Sequence, residues 1–241
     1  MSSSRSSSPR SKCRPGRSRA PRPWRAGVIP TRASSPPAAF VTQMEDNGLI
    51  DELTWIMLKK AAATCAGWRA VGLDTSVSVN LSLKSLGNVT LADRVTTLVR
   101  SQNLDPRHMI LEITESAATT DLGRALENLS RLRMKKFGLS IDDYGTGYSS
   151  MQQLMRIAFT ELKIDQSFVT NAARNEAARV ILASSLEMAG KLHISSVAEG
   201  VETRADWNLL NELGCDSAQG YFIAKPMPAE EFADWSLEWS L

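Results

Sequence analysis

The sequence predicts an α/β fold in which a parallel sheet curls toward a (β/α) barrel. Three observations predict it. Six strand-like runs, at 76–81, 109–114, 137–142, 161–164, 194–198 and 218–222, are separated by helical patterns, the alternation that marks βαβ units. No dinucleotide-type glycine fingerprint follows any of the runs, which favours a barrel over a doubly wound sheet. Polar residues also recur where the runs end, and in a barrel those ends meet on one face.

The elements follow in chain order. Residues 1–37 are rich in Ser, Arg and Pro and lack apolar periodicity, a composition that predicts disorder. Three origins are open for this segment: a targeting peptide, a nucleic-acid-binding tail, or a stretch from a shifted frame or wrong start joined to a domain that begins at residue 38. From there apolar residues return at helical spacing. A short helical turn is expected near 38–45, and a helix over 50–66 with Asp51 and Glu52 in its first turn. Further helices are expected at 91–102, 120–135, 149–156, 171–192, 203–213 and 229–235.

Composition narrows the function. The 241 residues are 43% hydrophobic, enough for a real core. Residues 1–44 hold eight Arg, one Lys and no acid, a charge of +9; the remainder holds 19 basic and 26 acidic residues, a charge of −7. An acidic body argues against nucleic acid as its partner. Cys13, Cys65 and Cys215 are too few and too far apart for a disulfide framework or a zinc site, so a reducing, cytoplasmic setting is expected. With two His in the chain, a metal site would rest on carboxylates. No apolar run is long enough for a membrane span.

The stretch Ser140–Ser150 (SIDDYGTGYSS) is the centre of the chain. A buried strand ends in two adjacent carboxylates, Asp142 and Asp143, followed by a small-residue loop. Adjacent acids are costly to bury unless a cation neutralises them, and a hard divalent ion takes oxygen ligands. The other strand ends carry Asn80, Glu112 and Glu115, Lys163 and Asp165, Glu199 and Glu202, and Gln219. Converged on one barrel face, Asn80, Glu112, Asp142, Asp143 and Glu199 could hold one or two divalent ions, with Lys163 orienting a water. That set implies metal-assisted hydrolysis of a phosphoester.

The motifs then become specific. VNLS at 79–82, LEITES at 111–116, IDDYGTGYSS at 141–150, LKID at 162–165, AEGVE at 198–202 and QGYF at 219–222 stand in one order. With them the chain, from about residue 38 to 235, resembles the EAL-domain family of cyclic-di-GMP phosphodiesterases. The resemblance implies a modified TIM-type (β/α) barrel and hydrolysis of cyclic di-GMP to linear pGpG with Mg²⁺ or Mn²⁺. It makes Asn80, Glu112, Asp142 and Asp143 metal ligands. Lys163 and Glu199 become catalytic, the first positioning water and the second a metal-linked acid or general base. Asp165, Glu202 and Gln219 line the substrate pocket, and Glu115 fastens the loop that follows Asp143. A homodimer and an upstream signalling partner are also implied.

Two departures stand out. Tyr144 occupies a position where the family usually has Phe, a change that keeps the ring. The family's signature Glu-Ala-Leu segment, whose Glu is a metal ligand, is absent upstream of Phe40. The first two family strands have no counterpart either, so about six of eight strands are expected and the barrel is incomplete. The expectation is a phosphodiesterase impaired by loss of that Glu; the alternative is an inactive domain that binds cyclic di-GMP or a protein partner.

Overall fold

The computed structural model describes residues 49–114, 122–144 and 158–239, together with Met44 and Asn47. Helix α1 (Ile50–Ala70) leads into β1 (Val77–Asn80), the short α2 (Leu83–Leu86), α3 (Leu91–Ser101) and a 3-10 turn (Pro106–His108). Then come β2 (Met109–Thr114), α4 (Leu122–Met134), β3 (Gly138–Tyr144) and β4 (Glu161–Ile164). The chain continues through α5 (Gln166–Ala172), α6 (Glu176–Leu192), β5 (Ser195–Ala198), α7 (Arg204–Leu213), β6 (Ser217–Ala218) and α8 (Ala229–Glu238).

All six strands are parallel and stand in sequence order. Right-handed crossovers of one hand between consecutive neighbours put the connecting helices on one side, and the sheet's twist curls it around the other. The result is a half-barrel with a helix-covered convex face, as the alternation of elements predicts. Among the described residues β1 and β6 are the two edges. The expected turn near 38–45 and helix at 149–156 lie outside the described residues, as does the segment 1–37.

The convex face is the core. Val79, Leu111, Leu139, Ile141 and Leu162 join Leu58, Ala62, Val95, Val99, Leu129 and Leu132 from α1, α3 and α4 in one cluster. A second cluster joins Ile164 and Ala198 to Val169, Leu182, Leu186 and Leu210 from α5, α6 and α7. Enclosing each such side chain stabilises the fold by about 1.5–3 kcal/mol before entropy is counted.

Local chemistry fixes the ends. The expected single helix over 171–192 takes in only the end of α5 and then all of α6, with a break between them. The first ends at Ala172, and Asn175 caps the second, its Oδ1 accepting from the Ala177 and Ala178 amides at 2.9 and 3.3 Å. At α7, Thr203 and Asp206 form a reciprocal capping box, and Gly214 ends the helix at φ 75°. Helix α1 runs four residues past its expected end and stops at Gly72, φ 91°. Its first turn is tied to α2, because the Ser85 hydroxyl donates to Asp51.

Helix α8 straps α1 to α7. The rings of Trp68 and Phe232 lie 4.4 Å apart, and Trp68 Nε1 donates to the Ala229 carbonyl at 3.1 Å. At its other end Trp239 packs edge-on to Trp207 of α7 at 6.3 Å. The expected sixth strand, 218–222, pairs regularly only at Ser217–Ala218. Beyond it Val201 donates to the Gln219 carbonyl and Phe222 to the Val201 carbonyl, both at 3.0 Å. Gly220 passes so near the Val201 backbone that a β-carbon would collide with it.

Candidate functional site

Strand alternation sends every second residue to the concave face. There β1 contributes Ser78 and Asn80, β2 Glu112, β3 Ser140 and Asp142, and β4 Lys163; parallel register sets Asn80 beside Glu112 and Glu112 beside Ser140. Lys163 is 6% exposed, and its Nζ reaches Asp142 Oδ1 at 2.7 Å, Glu199 Oε1 at 2.7 Å and Glu112 Oε2 at 3.2 Å. Three acceptors match the three N–H donors of an ammonium. Gln219, from the end of β6, donates through Nε2 to Glu199 Oε1 at 2.6 Å.

The balance is negative: the buried Glu112 and Asp142 and the partly buried Glu199 face one ammonium. Burial pushes Glu199 up to about 7, against the pull of Lys163. It raises Glu112 as well, opposed by Lys163 and by a hydrogen bond with the Ser78 side chain. For Lys163 burial acts downward, but Glu112, Glu199 and Asp142 outweigh it and hold the ammonium charged.

Asp142 and Asp143 are adjacent, so a regular strand would point them to opposite faces. The pairing of β3 with β4 shifts register between Ile141 and Tyr144, and Asp143 takes φ 54°. This bulge turns both carboxylates the same way. One oxygen each from Asp142, Asp143 and Glu199 lies within 4.8 Å of the others. The donor set is all hard oxygen and carries excess negative charge, which fits a divalent cation such as Mg²⁺ or Mn²⁺. Tyr144 then faces the helices, its hydroxyl 3.8 Å from the Met188 sulfur, so the extra oxygen is accommodated.

The sequence-predicted residues sort into three groups. Glu112, Asp142, Lys163, Glu199 and Gln219 converge in one network, with Asp143 beside it. Asn80 sits at the open edge, exposed, next to Glu112. Asp165 is engaged as the cap of α5, accepting from the Ser167 amide at 2.9 Å, and Glu202 is exposed on the loop after β5. Glu115 lies outside the described residues. Two polar residues of the same concave face were missed: Ser78, which hydrogen-bonds Glu112, and Ser140, which lies beneath the network without joining it. Counting back two residues from Asn80 and from Asp142 finds them, since i and i−2 share a strand face.

Comparison with known proteins supplies the family. The EAL domain family model matches residues 27–226. The chain is 36% identical over 200 residues to the cyclic di-GMP phosphodiesterase RocR of Pseudomonas aeruginosa, covering 83% of this chain and 51% of RocR. It is 38% identical over 196 residues to the bifunctional diguanylate cyclase/cyclic di-GMP phosphodiesterase MucR of the same organism, covering 81% of this chain and 29% of MucR. It thus spans about half or less of the length of these curated relatives. The solved PaMucR phosphodiesterase–c-di-GMP complex superposes with a TM-score of 0.76 at 38% identity, covering 81% of this chain and 80% of that one. With the motifs, the half-barrel and the acid–lysine network all in agreement, the chain belongs to the EAL domain family.

Proposed function

We propose that the chain is a metal-dependent phosphodiesterase that opens cyclic di-GMP to linear pGpG. The observation that carries this reading is the set of Asp142, Asp143 and Glu199 oxygens gathered beside a buried Lys163. The relatives named as cyclic di-GMP phosphodiesterases, and the MucR complex with that dinucleotide, support the substrate. Asp142, Asp143 and Glu199 would hold the Mg²⁺ or Mn²⁺, with Glu112 and Asn80 flanking. When bound, such an ion supplies Lewis acidity toward a phosphoryl oxygen and lowers the pKa of a bound water.

The protein's own groups have separable tasks. Lys163 offers a fixed positive charge to orient water and to meet charge developing on phosphate oxygen. Glu199, with a pKa near neutrality, is suited to accept the proton of the attacking water. Gln219 fixes the rotamer of Glu199 through its 2.6 Å hydrogen bond. Glu202 and Asp165, on loops at the same strand ends, would line the approach of the dinucleotide, and Glu115 would brace the loop after Asp143.

The domain would comprise residues 38–241, with 1–37 as a separate basic segment, and would work in the cytoplasm, where cyclic di-GMP signals; among the described residues no helix is long and apolar enough to cross a membrane. A homodimer and an upstream signalling partner belong to this reading. One observation favours a second reading, a domain that binds the dinucleotide without cleaving it: residues 1–44 contain no acid to take the place of the family's signature Glu.

Incubation of the chain with cyclic di-GMP and Mn²⁺ separates the two. Formation of pGpG that vanishes in Lys163→Ala is expected. Dinucleotide binding with no pGpG would establish the second reading instead.

A further inference from the structure

The floor of the concave face holds one polar atom that the ion-pair network leaves out. Ser140 is fully enclosed, at 0% exposure, and its Oγ has no hydrogen-bond partner. It lies two residues before Asp142 on the same face of β3, in register with Glu112 on β2 and Glu161 on β4. The other such atoms among the described residues, Asn128 Oδ1 and Arg133 Nε, belong to α4 and not to the sheet.

Its neighbours are carboxylates, which only accept, whereas a serine hydroxyl can donate. Neighbouring strands stand about 4.8 Å apart, so one rotamer change on Glu112 brings its carboxylate to the Ser140 hydroxyl. In the structure Lys163 gathers Glu112, Asp142 and Glu199 onto a single ammonium. Once Asp142 and Glu199 are committed to a cation, that grouping loosens, and Glu112 needs a second donor besides Ser78.

We propose that Ser140 is a positioning residue whose hydroxyl donates to Glu112 and holds that carboxylate in place when a divalent ion engages Asp142 and Glu199. This rests on the metal-dependent reading above. In the metal-free protein, removing a buried donor without a partner is neutral or stabilising in either case, so a hydroxyl that merely fills space is told apart by leaving Mn²⁺ affinity unchanged when it is removed.

The test titrates the full chain with MnCl₂ alone, by calorimetry, and follows thermal unfolding of the metal-free protein in parallel. Ser140→Ala is expected to weaken Mn²⁺ binding about tenfold, the scale of losing a ligand-orienting hydrogen bond, with the unfolding midpoint unchanged or raised. Ser140→Cys, which keeps the volume and a weak donor, should recover part of the affinity. Equal losses in the two variants would mark a packing effect and overturn the proposal. So would wild-type affinity in Ser140→Ala while Asp142→Asn abolishes binding, which leaves the metal site intact. A wild type that binds no Mn²⁺ overturns the metal reading and this proposal together.

Discussion

On the convex face of the sheet Val79, Leu111, Leu139, Ile141 and Leu162 are enclosed by helices; on the concave face alternate residues of the same strands bring Glu112, Asp142 and Lys163 together. Leu162 and Lys163 are consecutive, and both are nearly inaccessible, at 0% and 6%. Burial on the first side is a gain, since apolar area leaves water. Burial on the second is a cost, since charges lose their hydration and recover it only through one another. A chain under pressure for stability alone would do as well with apolar residues there. The concave network is therefore explained by chemistry, and the convex cluster by folding.

The largest effect is expected from breaking the concave side at its one cation. Lys163→Ala leaves three carboxylates, two of them buried, without a counter-charge and should cost about 3–5 kcal/mol in urea unfolding of the metal-free protein. Added Mn²⁺ should return part of that loss, because it neutralises the same acids. A variant as stable as the wild type would show that Glu112, Asp142 and Glu199 do not rely on Lys163 for their counter-charge.

Its convex neighbour should fail in another way. Leu162→Ala is expected to lose about 2–5 kcal/mol through the cavity it leaves. Mn²⁺ affinity of the folded fraction should stay at the wild-type value, and a parallel fall in affinity would show that the two faces are not independent.

Acidity sharpens the contrast further. Glu199 is raised from 4.5 to about 7, so between those values the folded form holds a proton that the unfolded form has released. Stability of the metal-free protein should therefore fall as pH rises from 5 to 8, by at most about 3 kcal/mol. Mn²⁺ should stabilise more at pH 8 than at pH 5, since it competes with that proton. A pH-independent unfolding midpoint in Glu199→Gln, beside a sloping wild type, would assign the effect to this residue.

The smallest stability change is expected at the bulge. Asp143→Asn keeps a side chain that tolerates φ 54° and should move stability by no more than about 0.5 kcal/mol. Mn²⁺ affinity should nevertheless drop about tenfold, or about 1.4 kcal/mol, because a charged oxygen ligand is gone. Unchanged affinity would remove Asp143 from the site.

Much of this was legible in the chain. Strands β2 and β4 begin and end where their apolar runs do, at Met109–Thr114 and Glu161–Ile164. Glu112, Asp142, Lys163, Glu199 and Gln219 were each found from their place at a strand end. The break between α5 and α6 was not read, because apolar spacing continues through it and the signal is the single cap Asn175. Strand β6 is shorter than its apolar run, because Gly220 takes the backbone out of regular pairing against Val201.

The sequence by itself determined which residues are chemical, which strands exist and in what order, since alternation and strand-end position are local properties of the chain. It placed one lysine among the converging acids but could not say which of them the ammonium would pair with, for that depends on how far the sheet curls. Nor could it say that adjacent Asp142 and Asp143 would face the same way. A two-residue period forbids that arrangement, and only the bulge imposed by pairing β3 against β4 allows it.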